Sequence, residues 1–151
     1  MKNIIKSYAD FDTHRAIGAL IQKHSENSQD IRNVANSAID WSCVHTILDL
    51  GCGYGWFEER LEGEFDYIMG IDCHPANEQT FLSITRPRAR TSAFITMHLP
   101  SPIDVPADYF DLVVSAYSLY FFPDILPVVK RVLKPEGTFL VITHSESMLE
   151  E

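Results

Sequence analysis

Twelve consecutive residues, Thr46 to Phe57, constrain this chain more than any other stretch; they read Thr-Ile-Leu-Asp-Leu-Gly-Cys-Gly-Tyr-Gly-Trp-Phe. Apolar residues around a single carboxylate, Asp49, run directly into Gly51, Gly53 and Gly55. An apolar run bounded by glycine predicts a strand buried on both faces. Glycines at alternate positions let the backbone turn sharply and bring a ligand against the main chain, because no Cβ intervenes. Tyr54 to Leu61 then has helical composition, with Glu58 and Glu59 in its early turns. Strand, glycine turn and helix N-terminus make a nucleotide-type site of the doubly wound kind.

The remaining chain alternates in the way such a fold requires. Apolar residues Ala16, Ile17, Ala19, Leu20 and Ile21 predict a helix over Asp12–His24 with Asp12 or Thr13 as its cap. A second helix runs through Ile31, Val34, Ala35, Ala38 and Ile39, with Asp30 placed to cap it. Past the glycines, strands are predicted over Tyr67–Ile71, Ser92–Thr96, Phe110–Ser115 and Thr138–Thr143, with helices over Ala76–Ile84 and Asp124–Leu133. Arg86–Arg90 is read as a loop, and Lys134-Pro-Glu-Gly137 as a helix stop. The whole is a parallel α/β sheet in one domain over residues 1–151, with a helical preface (1–45) and a ligand-binding core (46–151).

The identity of the nucleotide turns on small departures. A dinucleotide turn asks for Gly-x-Gly-x-x-Gly. Here the third glycine comes one place early and Trp56 holds the later position. Asp49 would stand near two phosphates, and like charges a few ångströms apart cost on the order of several kcal/mol at an effective dielectric of about 20. The same carboxylate suits a ligand that carries an ammonium group and no phosphate. Asp72 follows Gly55 by 17 residues and ends the second strand, where a carboxylate can accept bonds from both ribose hydroxyls.

Asp-Leu-Gly-Cys-Gly-Tyr-Gly at 49–55, Gly-Ile-Asp at 70–72, Phe-Asp-Leu-Val-Val-Ser at 110–115 and Arg-Val-Leu-Lys-Pro-Glu-Gly at 131–137, taken together, resemble class I S-adenosylmethionine-dependent methyltransferases, closest in flavour to the small-molecule, ubiquinone/menaquinone-biosynthesis-like branch. The resemblance covers roughly residues 46–144. It implies a Rossmann-like sheet of order 3-2-1-4-5, S-adenosyl-L-methionine as cofactor and S-adenosyl-L-homocysteine as product. By position, it implies that Asp49, Leu50, Gly51, Cys52, Gly53 and Gly55 hold the methionine end and Asp72 the ribose. Cys73 and His74 would flank the adenine, with Met97 and His98 closing over it. Ser115, Ala116 and Tyr117 would face the methionine moiety, Tyr117 and Tyr120 the acceptor, and Tyr8, with Phe11, would fold over the cofactor. Three departures stand out: no acidic residue follows the third strand, Glu136 replaces a glycine, and the family's C-terminal helix and antiparallel strands are missing after the fifth strand. An edge left open in that way would be an association site for a second copy or a partner chain.

Composition limits what the acceptor can be. The net charge of −9 falls entirely on residues 46–151, with seven Lys/Arg against sixteen Asp/Glu, so nucleic acid and anionic membrane are disfavoured partners. A small molecule or a protein fits better. Cys43, Cys52 and Cys73 show no paired spacing and the six histidines are scattered, which points to no disulfide framework, no metal site and a reducing cytoplasm. No apolar run reaches the roughly 18 residues of a membrane span. Catalytic candidates are His98, His144, Tyr117 and Tyr120, needed only if the acceptor must lose a proton. Cys52 reads as a small residue that fits the turn, and Arg86, Arg88 and Arg90 as a solvated loop. Two other functions compete with methyl transfer: a module that binds S-adenosylmethionine and acts through a partner, and an NAD-dependent oxidoreductase.

Overall fold

A computed structural model describes Ala16, Leu20 and residues 29–144. Tyr8, Phe11 and all but Ala16 and Leu20 of the helix expected over Asp12–His24 lie outside the described residues. Helix α1 spans Ile31–Ser37 and begins as anticipated, with Asp30 accepting the Arg32 N–H at 3.0 Å. The strands are β1 (Thr46–Leu50), β2 (Phe65–Asp72), β3 (Ala89–Thr96), β4 (Phe110–Ala116) and β5 (Leu133–Ile142). Helix α2 (Glu78–Thr85) joins β2 to β3, and α3 (Leu126–Val132) joins β4 to β5. All pairings are parallel and the order is β3-β2-β1-β4-β5. Among the described residues no helix is long and apolar enough to cross a membrane.

Alternation along β1 sorts the two faces of the sheet. Ile47 joins Cys52, Phe57, Ile68, Phe81 and Leu112 on the face covered by α1 and α2. Leu48 and Leu50 join Met69, Ile71, Ile125, Val129 and Val132 on the face covered by α3. Asp49, two residues after Ile47, therefore belongs to the α1/α2 side, in register with Gly70 of β2. Gly70 leaves room there for others: a Cβ would stand 2.5 Å from Phe81 Cζ and 2.6 Å from Cys52 Sγ.

The amino end of β1 is fastened to β4. Asp111 Oδ2 accepts the N–H groups of His45 at 3.0 Å and Thr46 at 2.9 Å and lies 2.8 Å from Thr46 Oγ1. Its other oxygen accepts from Lys134 Nζ at 2.6 Å. These donors hold the carboxyl down at about 2 despite the opposing effect of its partial burial.

Four expectations are corrected. The helix over Tyr54–Leu61 is one 3-10 turn, Glu58–Arg60, because Gly55 at φ +96 keeps the chain out of helical space before it and Leu61, extended at ψ 131, ends it. The helix over Asp124–Leu133 is a 3-10 turn, Pro123–Ile125, followed by α3. Strand β3 starts at Ala89, because Arg88 is no solvated loop residue: its guanidinium donates to the carbonyls of Leu61, Ile84 and Glu59. Strand β5 starts at Leu133, because Lys134–Gly137 is taken up within the strand by a register shift between Phe110 and Leu112.

Candidate functional site

The chain leaves β1 through three glycines in left-handed or related space, with φ of +74 at Gly51, +53 at Gly53 and +96 at Gly55. The turn is pinned to β2: Gly51 N–H and Cys52 N–H both donate to Ile71 O, at 2.8 and 3.1 Å. The loop after β4 closes one side of it. Ser118 Oγ donates to Leu50 O at 2.6 Å, and a Cβ on Gly51 would meet Ser118 Cβ at 2.5 Å. Ser115 is fully buried and its hydroxyl is shared between Leu50 O and Ser118, so it braces the turn from beneath.

Asp72 stands beside the same turn, half-buried. Its oxygens accept from Gly53 N at 3.0 Å, His74 N at 2.8 Å and Asn77 Nδ2 at 3.3 Å. A carboxylate has about four acceptor positions, so one remains. Cys73 and His74 follow directly, half-buried, and Met97 N donates to Asp72 O at 2.9 Å, which brings the β3 exit alongside. The exposed His98 comes next.

Asp49 and Glu58 form the most unusual part of the site. Asp49 is 1% exposed and Glu58 0%. Asp49 Oδ1 and both Glu58 oxygens have no hydrogen-bond donor. Two carboxylates offer each other only acceptors, so their contact becomes a hydrogen bond when one of them is protonated. Burial drives both upward: Asp49 well above the usual carboxylate range, with Glu58 and Asp72 adding repulsion, and Glu58 to about 7. Burial pushes the Cys52 thiol up too, which makes it a packing residue and no nucleophile.

At the carboxyl ends of β1, β4 and β5 the rings of Trp56, Tyr117 and His144 form a row, with centroids 5.6 Å apart for the first pair and 4.7 Å for the second. Tyr117 reaches it from a backbone φ of +55, a costly conformation for an aromatic residue. Tyr120 lies 6.5 Å from His144. Strand β3 is at the opposite edge of the sheet from β5. The structure thus groups His144, Tyr117 and Tyr120 and leaves His98 apart from them.

Arg32, 4% exposed, ties α1 to this row. Its Nη2 pairs with Asp30 at 2.7 Å, its Nη1 donates to Trp56 O at 2.7 Å and to Glu59 at 3.3 Å, and its guanidinium carbon sits 4.5 Å from the Trp56 ring centroid. Sequence reading assigned neither Arg32 nor Glu58 a role at the site, since a charged residue next to Ile31 or Phe57 reads as the solvated side of a helix. Asn77, which holds Asp72, was passed over too. A hollow of about 490 Å³ between α1 and residues 59–62 lies away from the glycine turn.

The residues present fit a cationic, phosphate-free nucleoside: bare main chain at the turn, an acceptor position left on Asp72, and buried carboxyl oxygens without donors. The fold class is Rossmann-like and doubly wound. Residues 48–141 match the family described as the methyltransferase domain, and the chain belongs to that family, the class I S-adenosylmethionine-dependent type. Solved structures agree on the fold. The YcgJ protein of Bacillus subtilis is 22% identical with a TM-score of 0.63, covering 78% of this chain and 53% of its own. An S-adenosylmethionine-dependent methyltransferase of Mesorhizobium loti is 24% identical with a TM-score of 0.53, covering 72% and 51%. A Haloferax volcanii protein solved with the Trm112 methyltransferase activator is 23% identical with a TM-score of 0.54, covering 79% and 61%. The chain spans less than two thirds of the length of each of these structures. No curated protein matches it.

Proposed function

We propose that the chain binds S-adenosyl-L-methionine at the glycine turn and directs its methyl group to a small-molecule or protein acceptor. The observation that carries this reading is the junction between turn and Asp72, where Gly53 N–H meets the carboxylate at 3.0 Å at the carboxyl ends of adjacent parallel strands. In this reading Leu50, Gly51, Cys52, Gly53 and Gly55 frame the methionine end with Asp49 beneath it, and Asp72 takes a ribose hydroxyl on its remaining acceptor position. Cys73, His74, Met97 and His98 line the adenine side. Ala116 and Tyr117 face the reacting end. The bound cofactor supplies an already activated methyl, so the chain's task is largely to position it, and a base is optional. Where the acceptor must lose a proton, His144 or Tyr120 on the aromatic row is better placed than His98. NAD fits poorly: Trp56 occupies the place of the third dinucleotide glycine and is wedged between Arg32 and Tyr117.

The free thiols Cys43, Cys52 and Cys73 accord with a reducing cytoplasm. The Haloferax protein forms a complex with a methyltransferase activator, and a partner or second copy of this chain would find an open strand edge at β5, which among the described residues pairs only with β4. Calorimetry with S-adenosylmethionine, S-adenosylhomocysteine and NAD tests the reading. Asp72→Ala is expected to weaken both adenosyl ligands by about 1.5–3 kcal/mol, roughly ten- to a hundredfold. Unchanged affinity in the folded variant, or binding of NAD alone, refutes it.

A further inference from the structure

Buried carboxyl oxygens without donors are rare enough that each calls for an explanation. Asp49 Oδ1 and both oxygens of Glu58 are three of them, side by side beneath the glycine turn. Among the described residues neither Asp49 nor Glu58 makes an ion pair. The groups that bear on the pair are Asp72 from β2, Glu59 from the same 3-10 turn, Cys52 from the glycine turn and Arg88 from the start of the β3 segment. Of these only Arg88 is positive, and each of its three guanidinium nitrogens donates to a main-chain carbonyl. A pair so placed is stable when it holds a proton, and it turns fully anionic only when a positive charge arrives beside it.

Resting on the function proposed above, we infer that Glu58 and Asp49 form a proton-holding counter-charge for the cationic end of the cofactor, one that yields its proton to solvent as S-adenosylmethionine binds. The charged sulfonium gains from the change, whereas S-adenosylhomocysteine, with a neutral thioether, gains less. Glu58 is thereby a determinant of preference for cofactor over product. Methyl transfer cancels the charge that drew the proton out, so reprotonation of the pair favours product release.

Both compounds carry the same amino group, so the ratio of their affinities isolates the sulfonium. Calorimetry at pH 6, 7 and 8 in two buffers of different ionisation enthalpy reads that ratio and the protons released. The preference for S-adenosylmethionine is expected to rise about tenfold from pH 6 to 8, as displacement of one proton from a group half-titrated at about 7 dictates. In Glu58→Gln the ratio should flatten and the extra proton release should vanish. A wild-type ratio that ignores pH, or a Glu58→Gln variant that keeps the full dependence, overturns the inference. Should the variant not fold, the wild-type pH series alone decides. Failure of either compound to bind removes the functional reading and this inference together, whereas binding of both with a pH-independent ratio removes the inference alone.

Discussion

Strand β1 has a carboxyl group at each end, and the two are treated in opposite ways. At the amino end Asp111 receives His45 N–H, Thr46 N–H and the Lys134 ammonium, and is held near 2. At the carboxyl end Asp49 and Glu58 are more deeply buried, have three oxygens without donors, and are driven upward, Glu58 to about 7. The first cluster is complete in itself and serves the fold. The second is left unfinished at a cost in stability, and strained or unsatisfied groups of that kind gather where a ligand completes them. Along one five-residue strand the chain separates what holds it together from what it offers to a partner.

The comparison can be broken most forcefully at Asp111. Removing an acceptor that serves two main-chain donors and an ammonium should cost about 3–4 kcal/mol, so Asp111→Ala is expected to unfold at markedly lower urea. Equal stability would mean that the clamp is ornamental. At the other end the sign reverses with pH. The folded chain keeps Glu58 protonated up to about 7 while the unfolded chain loses that proton near 4.5, so stability falls as pH rises through this window, Glu58 accounting for about 3 kcal/mol. Glu58→Gln lacks that share, and its stability relative to wild type should climb by a similar amount between those pH values in parallel denaturation series. The smallest effect is the acid limb. Asp111, lowered to about 2 when folded, contributes about 2 kcal/mol that is present above pH 4 and is lost as pH falls toward 2. An acid limb unchanged in Asp111→Asn would assign that loss to other carboxyls.

Much of the fold was legible because its signals are local. The run Thr46–Leu50 ahead of three glycines, the strand ending at Asp72 and the later motifs each rest on contiguous residues, and the family resemblance that those motifs carry implied the sheet order. The supposed helix after the turn was misread because composition does not disclose that Gly55 stands at φ +96 and that Leu61 is already extended, which leaves a single 3-10 turn between them. That error hid Glu58: on an ordinary amphipathic helix it would pair with Glu59 as surface charge, whereas the tighter turn drives it to complete burial. Arg32 was illegible for a related reason. Its burial depends on Trp56, 24 residues away, and no periodicity links them. The β5 boundary failed because Lys134-Pro135-Glu136-Gly137 looks like a stop, while the sheet absorbs it as an irregularity in pairing.

Arg32 also makes α1 and the glycine turn a single mechanical unit. The helix buries Ala35 and Arg32, packs Ile31 on the core and donates from Asn36 to Arg60 O, while its tie to the glycine turn is one guanidinium that grips Asp30 on one side and the carbonyl and ring of Trp56 on the other. The start of the helix is thereby coupled to the first residue beyond the third glycine, so that a displacement of either moves the other.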